Sequence, residues 1–357
     1  MVRDVAVVAF AQSPQTRRVE DRNEVEMLMP VLEEVRAQVG FEDRTAAEVF
    51  DFCCSGSSDY LAGAAFSFVT SLDGVGAWPP ISESHVEMDG AWALYEAWVK
   101  IQTGQADTAL VYAYGKSSPG SLRDVLSRQL DPYYLAPLWP DSVALAALQA
   151  RACLDAGVTT ITEMAEVAAR NRRAGASNPF AQLHGSDDPD TLLDGAEIAP
   201  PLRRHDCPPI TDGAAAVILA AEDRARELAA RPAWIRGIDH RVDPHALGER
   251  DLTDSPSTRR AAEVAGVADG PVDLAELHAP FTHQEVIVRR ALGLPEDATV
   301  NPSGGPLAGN PMMAAGLVRI GEAAQQVSRG DSDRAVAHAT SGPCLQQNLV
   351  CVLEGEG

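Results

Sequence analysis

Apolar residues open the chain as a short continuous run at residues 5–10, which reads as a buried strand. They then switch to a helical stripe. Val25, Met27, Leu28, Val31, Leu32 and Val35 share one face of a helix expected over residues 21–39. Residues 47–54 read as a second strand, closed by Ser55-Gly56-Ser57-Ser58, and residues 63–72 as a short helix. A strand at 79–86, a helix at 90–103 and a strand at 108–114 ending at Gly115 follow. Strands alternating with helices predict an α/β fold with a largely parallel core sheet. Residues 132–204 break the rhythm. Helical patches at 141–157 and 161–174 sit among turn-rich tracts such as Asn178-Pro179 and residues 185–189, so this stretch reads as an insertion covering the α/β layer. Asp212-Gly213 then makes a turn into residues 214–220, a run without a polar side chain that marks a strand buried on both faces. A helix is expected at 222–231. The pattern restarts with a strand at 234–238, helices at 255–266 and 282–292 around a strand at 274–278, a helix at 310–329, and closing strands at 334–340 and 347–353. Two α/β halves around a middle insertion predict an internally duplicated fold, on architecture more than on residue identity.

Composition narrows the function. A chain of 357 residues holds two lobes or one large doubled fold. Lys and Arg total 29 against 51 Asp and Glu, a net charge of −22, which repels phosphate backbones and anionic membranes and argues against nucleic-acid binding. Apolar residues make up 45% of the chain, enough for a packed core. No run approaches the roughly 18 apolar residues that span a bilayer. The first ten residues carry no secretory pattern, so a cytoplasmic enzyme is the expectation. The six cysteines form no C-x-x-C pair, and Cys53, Cys54, Cys153 and Cys351 read as free thiols of the core. Glycine-rich nucleotide loops, the G-x-S-x-G elbow and the H-E-x-x-H metal motif are absent.

Three segments carry chemistry: Glu276-Leu-His-Ala-Pro-Phe-Thr-His-Gln-Glu285, Asn301-Pro-Ser-Gly-Gly-Pro-Leu-Ala-Gly-Asn-Pro311, and Cys207-Pro-Pro-Ile-Thr-Asp-Gly-Ala-Ala-Ala-Val217. Together with Met164-Ala-Glu-Val-Ala-Ala-Arg-Asn171 and Asn178-Pro-Phe-Ala181, and in this order, they resemble the thiolase superfamily across essentially the whole chain. The likeness is to its sterol-carrier-protein-X and lipid-transfer-protein branch. The resemblance implies a thiolase fold of two βαβαβαββ halves with a helical and loop insertion in the first. The expected division is residues 1–125 with 206–231 for the first half, 126–205 for the covering domain and 232–357 for the second half. It also implies a homodimer or a heterodimer with a thiolase-like chain, an acyl-CoA thioester as substrate with no cofactor or metal, and a possible small OB-fold acyl-CoA-associated partner.

The family's catalytic set is altered here. Gly104, Asp107, Ala109, Leu110 and Val111 fix a register that puts Glu87 where the family's nucleophilic cysteine stands. A carboxylate there cannot carry a thiolase acyl group. The family's Gly-His-Pro motif reads Gly309-Asn310-Pro311, and its His-Asp-Cys-Phe motif reads His278-Ala279-Pro280-Phe281. Cys344, in Ser341-Gly-Pro-Cys-Leu-Gln346, approximates the second cysteine with a slip of a few residues. A conventional acyltransferase is therefore disfavoured. The same branch resembles steroid side-chain aldolases, whose retro-aldol cleavage of a 3-hydroxyacyl-CoA needs a base and thioester-oxygen donors but no covalent nucleophile. Those aldolases place tyrosines in the pocket from the C-terminal half, whereas all six tyrosines here lie within the first 134 residues. A non-catalytic scaffold subunit paired with an active paralogue is the alternative.

His278, Glu87 and Cys344 are thus the candidate catalytic groups, and Asn310, Ser303, Gly304 and Gly305 the candidate substrate-binding ones. Each has a plainer reading. Glu87 is a base or a helix N-terminal charge, and Asn310 an oxyanion donor or an N-cap. Cys344 leans towards an ordinary core thiol. His85 reads as structural or as a dimer contact, His283 as solvated or core. Tyr133, Tyr134 and Trp139 form a packing cluster or line an acyl pocket, the first being favoured.

Overall fold

The structure, a computed structural model, describes residues 3–63, 65–78, 81–185 and 188–356. Ten strands form one sheet. β1 (Val5–Gln12), β2 (Phe52–Gly56), β3 (Glu83–Val86), β4 (Thr108–Gly115) and β5 (Gly213–Ala221) belong to one half. β6 (Ala233–Val242), β7 (Leu274–Leu277), β8 (Thr299–Val300), β9 (Arg334–Ser341) and β10 (Gln347–Glu354) belong to the other. Their order is β8-β7-β9-β10-β6-β1-β5-β4-β2-β3. From the centre outwards, each half runs first, fifth, fourth, second, third strand. The duplication expected from the restarting pattern is therefore a mirrored topology. The halves join where Ala6 and Val7 pair with Trp234 and Ala233.

The sheet is mixed. β2 is parallel to β3 and β4, and β7 to β8 and β9, as the alternation of strands and helices implied. The fifth strand of each half runs antiparallel to both neighbours. The short link between Ser341 and Gln347 admits only an antiparallel return.

Seven helices of ten or more residues surround the sheet among the described residues: α1 (Glu24–Ala37), α2 (Gly90–Gln102), α3 (Ser142–Asp155), α4 (Ile161–Gly175), α5 (Pro256–Ala265), α6 (Thr282–Leu292) and α7 (Ala315–Arg329). α1 starts at a capping box in which Asn23 and Glu26 satisfy each other's backbone amides. α2 and α7 meet in the centre. Trp92, Leu94, Ile101, Leu317, Ile320 and Val327 join strand residues of both halves in one core. Asp89, the N-cap of α2, ties them together: its carboxylate accepts from Ala91 N–H at 2.9 Å and from Gly316 and Leu317 N–H at 2.8 and 3.0 Å. Gly115 is needed where β4 ends, because a Cβ there would overlap the Met312 carbonyl oxygen.

Several boundaries move. Ala46–Val49 is a helical turn, so β2 starts only at Phe52. The helix expected at 63–72 lies at Val69–Val75. β3 starts at Glu83, and Pro79 and Pro80 of that expected strand lie outside the described residues, as do Ser186 and Asp187 of the 185–189 tract. The helix expected from 310 begins at Ala315, because Asn310 and Pro311 pair instead with Ile210 and Thr211. That pairing removes the N-cap reading of Asn310. Tyr133, Tyr134 and Trp139 are not a packing cluster: they are 82%, 78% and 49% exposed.

Candidate active site

β7 is a four-residue apolar strand with one charge in it, Glu276, fully buried. Arg319 of α7, 2% exposed, reaches it at 2.6 Å. Ser303 donates both its backbone N–H (3.0 Å) and its hydroxyl (2.8 Å) to the same carboxylate. Burial pushes the Glu276 carboxyl upward, and Arg319 and Ser303 pull it back. Next to it Asn301, in the left-handed region at φ 51°, accepts the Leu277 N–H at 2.7 Å and donates to Glu285 at 3.2 Å. Glu285, 1% exposed, is also held by Asn171 of α4 at 2.9 Å and by Arg170. These polar groups hold one another, with Asn171 Oδ1 and Arg170 Nε left without a partner among the described residues, and they brace the end of β7 from behind.

His278 projects from that fixed end. Its own N–H donates to the His338 carbonyl at 3.0 Å. The Thr340 N–H donates to its Nδ1 at 3.4 Å. A backbone amide can only donate, so Nδ1 carries the lone pair and the neutral ring holds its proton on Nε2. Nε2 lies 3.2 Å from Asn310 Oδ1 and donates to it. Burial, then the neighbouring His338 and Arg319, lower the His278 pKa to about 3, so the ring is neutral at physiological pH. Both nitrogens are therefore committed. With Oδ1 facing His278, the amide of Asn310 must turn Nδ2 the other way. Among the described residues Nδ2 has no hydrogen-bond partner, while the Asn310 N–H is held by Thr211 Oγ1 at 3.1 Å. The pair is an imidazole that orients an amide, and the amide is the free donor.

The other candidates sit elsewhere. Glu87 is 46% exposed in its side chain. Its Oε1 accepts from Asp59 N–H at 2.7 Å, and its Oε2 lies 3.5 Å from His85 Nε2. Among the described residues no hydrogen bond links it to His278 or Asn310. His85 stacks on Phe68 with centroids 4.3 Å apart and meets Ser55 Oγ at 2.9 Å through Nδ1. Cys344 is 8% exposed, its Sγ is 3.5 Å from the Leu145 carbonyl of α3, and burial pushes its thiol up to about 12. It is a protonated core thiol at neutral pH. The hydroxyl of Ser303 is taken up by Glu276 and Arg319. Gly304 and Gly305 adopt φ 96° and 59°, and a Cβ on them would meet the Gly175 backbone and the Asn301 side chain respectively. Contacts inside the chain thus account for both glycines. His283 is fully buried, its Nε2 3.2 Å from Gln149 Oε1.

Thr340, Asn301 and Arg319 escaped the sequence reading. Thr340 acts through its backbone, which no side-chain pattern reveals. Arg319 and Glu276 did leave a trace, since each is a lone charge in an otherwise apolar or small-residue stretch.

No family model matches the chain. Over 214 residues it is 32% identical to an acetyl-CoA acetyltransferase of Methanothermobacter thermautotrophicus, covering 54% of this chain and 56% of that protein. It is 28% identical over 220 residues to the benzoylsuccinyl-CoA thiolase subunit BbsB of Thauera aromatica, covering 53% and 57%. It is 27% identical over 298 residues to sterol carrier protein 2 of Homo sapiens, covering 73% and 54%. The matched region is a little over half the length of these relatives. Among solved structures, an Ltp2-ChsH2(DUF35) aldolase matches with TM-score 0.81 at 18% identity over 98% of this chain and 97% of that one. Human mitochondrial 3-ketoacyl-CoA thiolase matches with TM-score 0.78 at 17% identity over 99% of each chain. The fold is the thiolase fold. The sequence and structural matches together support a thiolase-superfamily, lipid-transfer-like protein.

Proposed function

We propose that this chain is an acyl-CoA-handling subunit of a steroid side-chain aldolase, cleaving a carbon–carbon bond of a 3-hydroxyacyl-CoA without a covalent intermediate. The observation that carries the reading is the neutral His278 locked onto Asn310, with the Asn310 amide donor free and no thiolate beside it. In the reaction a base takes the 3-hydroxyl proton, and the C–O bond becomes a carbonyl as the Cα–Cβ bond breaks. The electron pair moves onto Cα and into the thioester oxygen, and Cα is then protonated. Asn310 Nδ2 donates to the oxygen where that charge develops. His278 holds Asn310 in place and takes no proton. Glu87 is the sequence candidate for the base. Among the described residues it is held by Asp59 N–H and His85, with no hydrogen bond to His278 or Asn310. The base is therefore the part of the reaction this reading assigns to the completed assembly.

Partners belong to the same proposal. β3 is a sheet edge, and Tyr60, Phe66, Val69 and Trp78, on segments that flank its half, are 50–69% exposed. Such an apolar face beside an unpaired edge suits a second thiolase-like chain. A small OB-fold protein is the other expected partner, and the aldolase structure above names a DUF35 component beside its thiolase-like match. The test is to co-purify the chain with its neighbouring gene products and supply a 3-hydroxy steroid-CoA. Release of a ketone or aldehyde plus a shortened acyl-CoA, lost in Asn310→Ala, supports the reading. Cleavage that survives Asn310→Ala and Glu87→Gln puts the active pocket on a partner and leaves this chain a scaffold.

A further inference from the structure

β3 pairs with β2 on one side only and leaves its other side as an edge of the sheet. Cys53 N–H donates to the Ser82 carbonyl at 3.0 Å, and Ser57 N–H to the Val86 carbonyl at 3.3 Å. Even-numbered residues here turn their backbone groups to β2, so the alternation of a strand turns those of Glu83 and His85 to the open side. The side chains of Glu83 and His85, with Glu87 directly after the strand, fall on one face. The 3.5 Å approach of Glu87 Oε2 to His85 Nε2 agrees with this. That face is acidic. Glu83 is half-buried, and its Oε1 is buried without a hydrogen-bond partner. Glu87 is 46% exposed in its side chain. Asp59 stands beside them, its N–H on Glu87 and its carboxylate accepting from Phe66 and Ser67 N–H at 2.8 and 2.9 Å. Among the described residues none of these three carboxylates forms an ion pair with a lysine or arginine. The base that faces them is His85, whose Nδ1 meets Ser55 Oγ at 2.9 Å.

Strand geometry turns this pattern into a rule about partners. An antiparallel newcomer exchanges backbone bonds between residues that both point outward. In a second copy of this chain, related by a two-fold axis, those residues are again the odd-numbered ones. One register sets Glu83 and Glu87 of each copy against Glu87 and Glu83 of the other. A register moved by one step sets only one glutamate of each copy against a His85. Every register therefore gathers four glutamates around two imidazoles on one face, and like charges opposed across strands are destabilising. A strand with Lys or Arg at the matching positions meets opposite charges instead, and it brings Glu83 Oε1 the donor it lacks.

We propose that β3 selects its partner by charge: it takes the edge strand of a different thiolase-like chain that carries Lys or Arg on this face, and pairs poorly with a second copy of itself. This rests on the second-chain reading above, but its test needs no catalysis. The probe is this chain with the charge reversed, Glu83→Lys with Glu87→Lys, and with Glu87→Lys alone at the more exposed position. Sedimentation equilibrium of the wild type, the variant and their equal mixture measures each pairing. The mixed dimer should be at least tenfold tighter than either self-paired form. Glu83→Gln with Glu87→Gln should self-pair at least tenfold more tightly than the wild type. Raising salt from about 0.01 to 1 M shortens the Debye length from about 30 to 3 Å, which should loosen the mixed dimer and tighten wild-type self-pairing. A circular dichroism melt at the wild-type temperature establishes that the variants fold, and the glutamine and salt arms decide the matter should the lysine forms not fold. A statistical mixture, with all forms self-pairing equally at every salt, overturns the charge rule and leaves the strand-to-strand reading standing. Monomers in every arm sink that reading, and this proposal with it.

Discussion

Replacing His278 separates its two possible roles, and the sizes follow from its hydrogen bonds. His278→Ala removes the 3.2 Å donor to Asn310 Oδ1 and the acceptor of the Thr340 amide, leaving a buried carbonyl oxygen unpaired at a cost of about 1–3 kcal/mol in stability. His278→Gln can restore a donor to Asn310 and should recover much of that loss. On the proposed reaction Asn310→Ala deletes the donor to the thioester oxygen, and kcat should fall by about 10²–10³, the usual cost of one oxyanion donor. The pH profile decides between positioning and proton transfer. With its pKa lowered to about 3 by burial, His278 stays neutral throughout the assay range, so it contributes no limb to kcat/KM between about pH 5 and 8. The assay is retro-aldol cleavage by the purified assembly, followed by release of the shortened acyl-CoA. Nitrogen chemical shifts of the histidine ring give the tautomer independently. The reasoning fails if the wild type shows an acid limb near pH 6.5 that disappears in His278→Gln, or if the ring carries its proton on Nδ1.

Four further outcomes are expected. Arg319→Met strands the buried Glu276 carboxylate and should cost about 3–5 kcal/mol in urea unfolding, with the Glu276→Gln, Arg319→Met double variant recovering part of it. Asp89 has its pKa raised to about 6 by burial, so its contribution is fully present below about pH 4 and is lost as pH rises through 6; wild type minus Asp89→Asn stability should therefore fall by about 3 kcal/mol between pH 4 and 7, and a flat difference refutes this. Burial lowers His278, His283 and His338 to about 3, 3 and 4, so their contributions are present above about pH 6.5 and fade as pH falls; stability measured at pH 7 and 5 should drop, and less so in His283→Gln. Gly115→Ala forces a methyl onto the Met312 carbonyl and should lower the melting temperature, read by calorimetry, whereas Gly104→Ala, with open space but φ 72°, should cost far less.

Much of the fold was legible because its signals are local. The stripe on α1 and the all-apolar run of β5 require only periodicity, and the restart after residue 231 exposes the duplication. Mixed strand direction was not legible, since hydrophobic pattern does not encode the direction of a neighbour. The segment from Asn310 was misread because Asn before Pro resembles a helix entrance, while its true partner, Ile210, is a hundred residues away. His278 and Asn310 could be singled out by motif, but not which of them keeps a free hydrogen-bond donor. That depends on one backbone amide, Thr340 N–H, delivered by strand β9. Glu87 and Cys344 show the converse: register placed them near a family position, and tertiary contacts with Asp59 and Leu145 set their surroundings.

The mirrored strand order also sets a valence. A mirrored sheet has two like edges, and an assembly that could extend at both would grow without limit. Here the ends differ. β8 is two residues long and gives a newcomer almost no ladder, while β3 is four residues long with apolar side chains exposed around its half. The two edges of the sheet are therefore unequal, and of the two β3 is the one with a ladder long enough to take a further strand.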